Sequence, residues 1–232
     1  MGLQGFRILN PCCIDHSIFL RLMKQYESII FDLGGVIINL DYNRTAQAFV
    51  DLGLTNFNEI YSKAKQTSLF DDFEKGTMED PRFRATLKQY LPAHITDLQV
   101  DAAWNAMLLD IPLHRIEFLR NVAKHYRIFL LSNTNHIHVE AFTKMNDQLF
   151  GQGAFESIFE KHYYSCNMGM QKPDAEIFEF VLKENGLDRT KTLFIDDSPQ
   201  HVEGALKTGL HAELLRVEMG EKLETVYANL LL

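Results

Sequence analysis

Four polar sites in this chain follow segments that have the composition of buried strands or tight turns. The first is Asp32, which ends the apolar run at residues 28–31 and is followed by a leucine and two glycines. Such a run, closed by a carboxylate and glycines, predicts a buried strand that leads into a tight turn. The other sites, in chain order, are Ser132, Lys172 and the pair Asp196-Asp197. Because ligands bind outside the carboxyl ends of parallel strands, we expect all four sites to meet in one crevice.

The residue types at these sites suit phosphoryl transfer. Asp32 offers a carboxylate nucleophile, Ser132 a hydroxyl donor and Lys172 a fixed positive charge. Asp196 and Asp197 offer the oxygen ligands that Mg²⁺ prefers. A helix N-cap would account for one of these two aspartates but not for both. The pair therefore indicates a metal site.

The segments around these sites alternate between strand and helix patterns. Strands are predicted at 28–31, 127–131, 162–166, 192–195 and 212–216, and helices at 135–149, 175–184, 200–208 and 221–230. This alternation predicts the α/β class, with a Rossmann-like, doubly wound parallel sheet that has helices on both faces.

Residues 41–110 interrupt the alternation. Segments 42–52, 56–68, 81–91 and 96–109 have apolar residues at three- and four-residue spacing, and glycines and prolines separate them. We predict that residues 41–110 form an all-helical cap inserted into a catalytic core made of residues 25–40 and 111–232. Residues 1–24 are assigned to an N-terminal extension.

Composition narrows the classes of partner and location. The chain has 232 residues and a net charge of −8, which argues against nucleic acid or an anionic membrane as the main partner. Its three cysteines, Cys12, Cys13 and Cys166, have neither a disulfide-framework nor a zinc-site spacing. No apolar run is long enough to span a membrane. We expect a cytoplasmic protein whose partner is a small phosphorylated metabolite; the oligomeric state stays open.

Taken together, the four sites resemble the motifs of the haloacid dehalogenase superfamily of hydrolases, in their order and in their strand-end positions. The matching segments are Phe31-Asp32-Leu33-Gly34-Gly35-Val36, Leu131-Ser132-Asn133-Thr134-Asn135, Gly169-Met170-Gln171-Lys172-Pro173 and Phe194-Ile195-Asp196-Asp197-Ser198. Within the superfamily, the chain is most similar to the bacterial sugar-phosphate phosphatases that include α-D-glucose-1-phosphate phosphatase. The resemblance implies a Mg²⁺-dependent, metal-binding phosphatase for a small metabolite, with a sugar phosphate as the expected substrate.

The resemblance also implies roles for the catalytic and metal-binding residues. Asp32 would attack phosphorus and form an aspartyl-phosphate, which divides one difficult displacement into two easier ones. Asp32, the Gly34 carbonyl and Asp197 would hold Mg²⁺, with Asp196 as a further ligand or an orienting group. Which aspartate of the pair binds the metal directly stays open.

Further residues would bind the phosphate. Ser132 and the Asn133 amide would hold the transferring phosphoryl oxygens, as a helix N-terminus binds anions. Lys172 would place its charge against the phosphoryl group and Asp32. Arg44, at the start of the insert, would contact the substrate from above.

Gly34 is the main departure from the family pattern. Most phosphatases of the superfamily have a second aspartate at this position, which serves as general acid and then as general base. Such help is worth about 10²–10⁴-fold in rate. Three explanations compete: another proton donor, with Asp41 as the first candidate, a leaving group that needs little help, or a lost activity. Without a replacement, the rate would depend steeply on leaving-group acidity.

Two other functions are compatible with parts of the pattern. A 2-haloacid dehalogenase would use Asp32 to attack carbon without a metal, and such enzymes also lack an acid at the Gly34 position. The Asp196-Asp197 pair counts against that chemistry. A non-catalytic phosphate-binding homologue would have no need for Asp32 and Lys172, and their presence counts against it.

Overall fold

A computed structural model describes residues 26–54 and 68–231 of the chain. In these residues, five parallel strands form one sheet: β1 Ser28–Phe31, β2 Arg127–Ser132, β3 Lys161–Tyr164, β4 Thr192–Asp196 and β5 His211–Leu214. The strand order is β3-β2-β1-β4-β5, so β1 lies at the centre between β2 and β4. The predicted α/β class with a parallel sheet is confirmed.

Helices connect the strands. They are α1 Tyr42–Asp51, α2 Leu69–Glu74, α3 Asp80–Lys88, α4 Asp97–Asn105, α5 Leu113–Val122, α6 His136–Phe150, α7 Ser165–Met168, α8 Ala175–Asn185, α9 Pro199–Lys207 and α10 Leu223–Val226. Short 3₁₀ turns occupy Glu156–Ile158, Arg189–Lys191, Val217–Met219 and Ala228–Leu231. Within the part of the chain that the structure describes, no helix has the length and apolar character needed to cross a membrane.

The two faces of the sheet bury separate apolar clusters. Successive residues of a strand point to opposite faces, so Ile29 and Phe31 pack into one cluster and Ile30 into the other. Residues of α5 and α6 join the first cluster, and residues of α8 and α9 join the second. Burying each large apolar side chain contributes about 1.5–3 kcal/mol, which fixes the strand ends where the polar sites lie.

Helices α1 to α4, which lie between β1 and β2, have an apolar cluster of their own. Phe49, Phe73, Phe83 and Trp104 from α1 to α4 are all buried there, together with Ile137 from α6. Stacked and edge-on aromatic rings make up much of this cluster. Such ring pairs add about 0.5–1.5 kcal/mol beyond the area that they bury.

The element boundaries differ from the sequence-based prediction in several places. The strand predicted at 162–166 ends at Tyr164, because α7 begins at Ser165, and the strand predicted at 212–216 is β5 His211–Leu214. Helices α2 and α5 were not predicted, although α5 buries apolar residues at three- and four-residue spacing. The helix predicted at 221–230 is instead the short α10 and a 3₁₀ turn, which still bury Leu223, Tyr227 and Leu230. The apolar spacing there correctly predicted which residues are buried, but it did not predict that the helix is interrupted. Residues 1–24 and positions 56–67 of a predicted helix lie outside the described residues.

Candidate active site

The carboxyl ends of the central strands bring three of the predicted sites to one edge of the sheet. Phe31 is in register with Leu130 on one side and Ile195 on the other. Asp32 therefore lies level with Asp196, the last residue of β4, and within one residue of the level of Ser132, the last residue of β2. The Asp32 amide continues the ladder by donating to the Ile195 carbonyl at 2.9 Å.

Lys172 completes this group from the loop between α7 and α8. Its ammonium donates to Asp32 Oδ1 and to Asp196 Oδ2, both at 2.6 Å, and to the Leu131 carbonyl at 2.9 Å. The Asn133 side chain binds the Lys172 backbone on both sides, accepting from its amide at 2.9 Å and donating to its carbonyl at 2.8 Å. Hydrogen bonds thus hold both the backbone and the ammonium group of Lys172, and its side chain is fully buried.

Asp196 is surrounded by donors. Besides Lys172, it accepts from the Ser198 amide at 2.8 Å and faces His201 Nδ1 at 3.1 Å. Burial by itself would raise the pKa of Asp196, but Lys172 and His201 lower it to about 2. A carboxylate with this many partners stays ionised although it is fully buried.

Asp197 has different surroundings from its neighbour. Its carboxylate lies against Gly35, which has a φ of +74°, and a Cβ at that glycine would overlap Asp197 Oδ2. Burial raises the pKa of Asp197 to about 6, and the charge of Asp196 adds to the effect. Glycine is required at position 35 both for its backbone conformation and for this close approach.

Negative charge exceeds positive charge at the strand edge. Oxygens of Asp32, Asp196 and Asp197 lie within 4.8 Å of one another, and Lys172 balances one of the three charges. Burial raises the pKa of Asp32 to about 7 against the opposing effect of Lys172. Burial also disfavours the Lys172 charge, but Asp196 and Asp32 outweigh it and raise the pKa of that lysine. The remaining charge suits a divalent cation with hard oxygen ligands such as Mg²⁺.

A cavity lies above this edge of the sheet. Gly34, Ser132, Asn133 and Thr134 form its floor. Its roof comes from the helices that follow β1 and from α6, and includes Tyr42, Phe70, Glu74, Trp104, Met107 and His138. Most of the roof is apolar or aromatic, so a bound molecule would be shielded from water.

Three rings stack along the roof. Phe70 and Trp104 are 5.6 Å apart and nearly parallel, and Trp104 and His138 are 5.2 Å apart and parallel. His138 Nδ1 is 2.8 Å from Asn105 Oδ1. Burial lowers the pKa of His138 to about 3, so this ring is neutral at physiological pH.

The structure does not bring Arg44 to the cavity. Helix α1 begins at Tyr42, which puts Arg44 in its first turn on the outer surface, with 63% of the side chain exposed. Its Nε lies 3.6 Å from Asp41, and Asp41 in turn caps α1 by accepting from the Asn43 amide. Arg44 and Asp41 do not line the cavity. Asp32, Lys172 and the aspartate pair do not line it either, but they adjoin its floor, as the bond between Lys172 and Asn133 shows.

Three residues at the site were not anticipated from the sequence. His201 holds Asp196, and Glu74 lines the cavity from the end of α2. Ser165 Oγ donates to the Glu74 carbonyl at 2.6 Å and accepts from the Thr134 amide at 2.9 Å. The position of His201, soon after the aspartate pair, was an available signal. Glu74 is one of three acids within residues 71–74, and no pattern distinguishes it.

The fold and this site define a class of α/β enzyme in which a carboxylate at a strand end is paired with a buried lysine. The chain belongs to the haloacid dehalogenase-like hydrolase family, whose model matches residues 26–209. The predicted superfamily and the hydrolase class are therefore confirmed.

Several known proteins are similar to this chain. A D-ribitol-5-phosphate phosphatase from Bacteroides thetaiotaomicron is 29% identical over 177 residues, which are 76% of this chain and 85% of the relative. A crystal structure of a HAD family enzyme from the same species, in complex with magnesium and inorganic phosphate, is 34% identical with a TM-score of 0.80. The match covers 87% of this chain and 99% of that one. A predicted HAD-like family hydrolase from Porphyromonas gingivalis is 33% identical with a TM-score of 0.73, over 82% and 91% of the two chains.

Proposed function

We propose that this protein is a Mg²⁺-dependent phosphatase that hydrolyses a small sugar or polyol phosphate through an aspartyl-phosphate on Asp32. The observation that carries the proposal is the buried Lys172, which is bonded to both Asp32 and Asp196 beside a third carboxylate. A phosphatase relative and a related structure with magnesium and inorganic phosphate support it. The Asp196-Asp197 pair argues against metal-free dehalogenation.

Asp32, the Gly34 carbonyl and Asp197 are the proposed Mg²⁺ ligands. Asp196 is assigned the orienting role, because Lys172, Ser198 and His201 already occupy its oxygens. When bound, Mg²⁺ neutralises charge between the nucleophile and the phosphate and so allows two anions to meet.

The remaining steps are assigned to residues at the carboxyl ends of the strands and on the floor of the cavity. Asp32 attacks phosphorus, and Lys172 holds its carboxylate in place while offsetting its charge. Ser132 donates its hydroxyl to a phosphoryl oxygen. The Asn133 side chain is bound to Lys172, which leaves its backbone amide as the donor to the phosphoryl group.

Residues 41–110 are proposed to act as a cap on the core formed by residues 25–40 and 111–232. Support comes from the separate apolar cluster of α1 to α4 and from their position over the strand edge. A cap of this kind excludes water while Asp32 attacks and selects the part of the substrate that leaves.

The choice between a polyol and a sugar phosphate depends on the roof of the cavity. The relative from B. thetaiotaomicron supports a linear polyol phosphate, whereas the resemblance to α-D-glucose-1-phosphate phosphatase favours an anomeric phosphate. A pyranose ring presents C–H groups to aromatic rings, and the carbon chain of an acyclic polyol can also lie along them, so the stack of Phe70 and Trp104 accommodates either.

A substrate panel tests the proposal. Purified protein is assayed for phosphate release from D-ribitol 5-phosphate, α-D-glucose 1-phosphate and an aryl phosphate, with Mg²⁺ and with a chelator. We expect Mg²⁺-dependent release that is abolished in Asp32→Asn, an almost isosteric variant without a nucleophile. Absence of release from every phosphate by the folded protein would indicate a non-catalytic homologue. Metal-independent halide release from a 2-haloacid would indicate a dehalogenase.

A further inference from the structure

Gly34, on the floor of the cavity, has no side chain that could donate a proton to the leaving group. In phosphoryl transfer the attacking and leaving oxygens are roughly in line, so the leaving oxygen points away from Asp32. The roof forms the side of the cavity that faces the strand-end loops, so we expect the proton donor there. Leu40 lies over Gly34, with its Cδ1 at 2.8 Å from where a Cβ would stand, so an apolar side chain occupies this part of the site.

Glu74 is the single carboxyl group among the described residues that line the cavity. His138, also in the roof, is neutral and has its Nδ1 beside Asn105. The Asp41 carboxylate is already engaged at the start of α1, where it accepts from the Asn43 amide and faces Arg44. In the described residues no side-chain hydrogen bond engages the Glu74 carboxyl group. It is therefore available to a bound molecule.

The backbone of Glu74 is fastened to the core at the phosphate-binding loop. Ser165 binds both the Glu74 carbonyl and the Thr134 amide, two residues after Ser132. The end of α2 also packs tightly on the core, because a Cβ at Gly76 would overlap the Cys166 carbonyl oxygen. Glu74 is thus positioned relative to the floor of the site, as a catalytic group must be.

The charges around Glu74 favour its protonated form. Burial raises the pKa of Glu74 to about 7, and the charge of Asp71 on the same helix adds to this effect. The buried Lys172 opposes it. The Cys166 thiol, on the element against which α2 packs, has a pKa raised to about 11, so it is neutral. Lys75 faces Asp174 instead of Glu74. A group of this kind exchanges a proton near neutral pH, as acid–base catalysis requires.

We propose that Glu74 is the general acid and base of the reaction, in place of the carboxyl group missing at Gly34; the proposal rests on the phosphatase function above. As Asp32 oxygen bonds to phosphorus and the bond to the leaving oxygen breaks, Glu74 gives its proton to that oxygen. In the second step Glu74 takes a proton from the attacking water. The water oxygen bonds to phosphorus while the bond between phosphorus and Asp32 breaks. Inorganic phosphate then leaves, and Glu74 is protonated again.

The test compares Glu74→Gln with wild type on substrates of graded leaving-group acidity. For alkyl phosphates such as D-ribitol 5-phosphate, kcat/KM should fall by about 10²–10⁴-fold, whereas 2,4-dinitrophenyl phosphate should change by no more than about threefold. The wild-type dependence on leaving-group pKa should accordingly be shallow, and that of the variant steep. Glu117→Gln is the matched control, since Glu117 is an exposed glutamate on α5 that does not line the cavity.

Every outcome bears on the proposal. An unchanged rate on alkyl phosphates would overturn it. An equal loss on all substrates through KM alone would also overturn it and would leave Glu74 a binding residue. If wild type hydrolyses no phosphate, the phosphatase function fails instead. Should Glu74→Gln fold poorly, the wild-type pH profile decides. Rates on alkyl phosphates should then fall as pH rises above about 7, because the acid loses its proton, while rates on the dinitrophenyl ester should not.

Discussion

The adjacent residues Asp196 and Asp197 show how identical side chains at one strand end acquire different properties. Asp196 is buried among donors and has a pKa of about 2, while Asp197 lies beside Gly35 with a pKa of about 6. Consecutive residues at a strand end point to opposite sides, so one reaches Lys172 and the other the turn after β1. Composition alone does not separate these two roles.

This difference predicts different responses to loss of charge. Asp197→Asn should raise the Mg²⁺ concentration needed for half-maximal activity by at least about 10- to 100-fold, because a charged ligand is lost. Asp196→Asn should instead lower thermal stability, since the buried Lys172 loses a partner, at a cost of about 3–5 kcal/mol. Mg²⁺ titrations and thermal unfolding of both variants measure these effects. A shift in Mg²⁺ requirement confined to Asp196→Asn would exchange the two assignments.

Gly34 offers a second experiment at a single residue. It is not among the glycines with positive φ, and the far end of the Leu40 side chain is its main obstacle. An aspartate there should be accommodated once Leu40 is shortened. In the Glu74→Gln background, Gly34→Asp with Leu40→Ala should recover part of the lost turnover of alkyl phosphates. The check is kcat/KM on D-ribitol 5-phosphate against Leu40→Ala with Glu74→Gln; no gain in a folded variant would show that position 34 cannot reach the leaving oxygen.

At the scale of elements, the junction between α2 and α7 couples the insert to the core. Gly76 has a φ of +69° and packs on the Cys166 backbone, and Ser165 fixes the preceding Glu74. Both contacts join residues that are far apart in sequence, so the position of Glu74 depends on the tertiary path of α2.

This junction predicts a selective loss of activity in Gly76→Ala. The new methyl group would overlap the Cys166 carbonyl, so α2 must shift, and alkyl phosphates should lose more turnover than aryl phosphates. Gly153→Ala is the control, because Gly153 has a similar φ of +65° but open space around it. That control should cost only the backbone strain, of order 1 kcal/mol, with activity retained. Thermal unfolding and the ratio of rates on the two substrates decide. Equal ratios in both variants would exclude a role for the junction in placing Glu74.

Sequence patterns predicted the strands that carry site residues better than the helices that only contribute to the apolar clusters. Strands β1, β2 and β4 contain continuous apolar runs, and the sequence shows a polar residue at the carboxyl end of each run. Helix α2 was not predicted as a separate element because it is only six residues long and follows directly after the helix predicted at 56–68. The role of Arg44 in substrate binding stays a prediction. The sequence could not show on which side of α1 this residue lies, because that depends on the residue at which the helix begins.

At the scale of the whole molecule, the chain is acidic, and part of its excess negative charge lies at the strand edge. The chain has a net charge of −8, and three carboxylates share one lysine at the strand edge. Burial holds the pKa of Asp32 at about 7 and that of Asp197 at about 6, above the unfolded value near 3.9. Between pH 4 and 7, roughly, the folded metal-free protein therefore binds more protons than the unfolded chain, and its free energy of unfolding falls as pH rises.

Mg²⁺ should reverse this loss, and its effect should itself depend on pH. The metal binds ionised carboxylates, so it competes with protons at pH 5 and meets little competition at pH 7.5. Saturation to 100 times the dissociation constant would add about 2.7 kcal/mol of stability. Thermal unfolding with and without Mg²⁺ at the two pH values should show a large rise in Tm at pH 7.5 and a small one at pH 5. Asp197→Asn should lose most of the rise. Equal stabilisation at both pH values would mean that the ion binds elsewhere, away from the carboxylates whose burial raises their pKa.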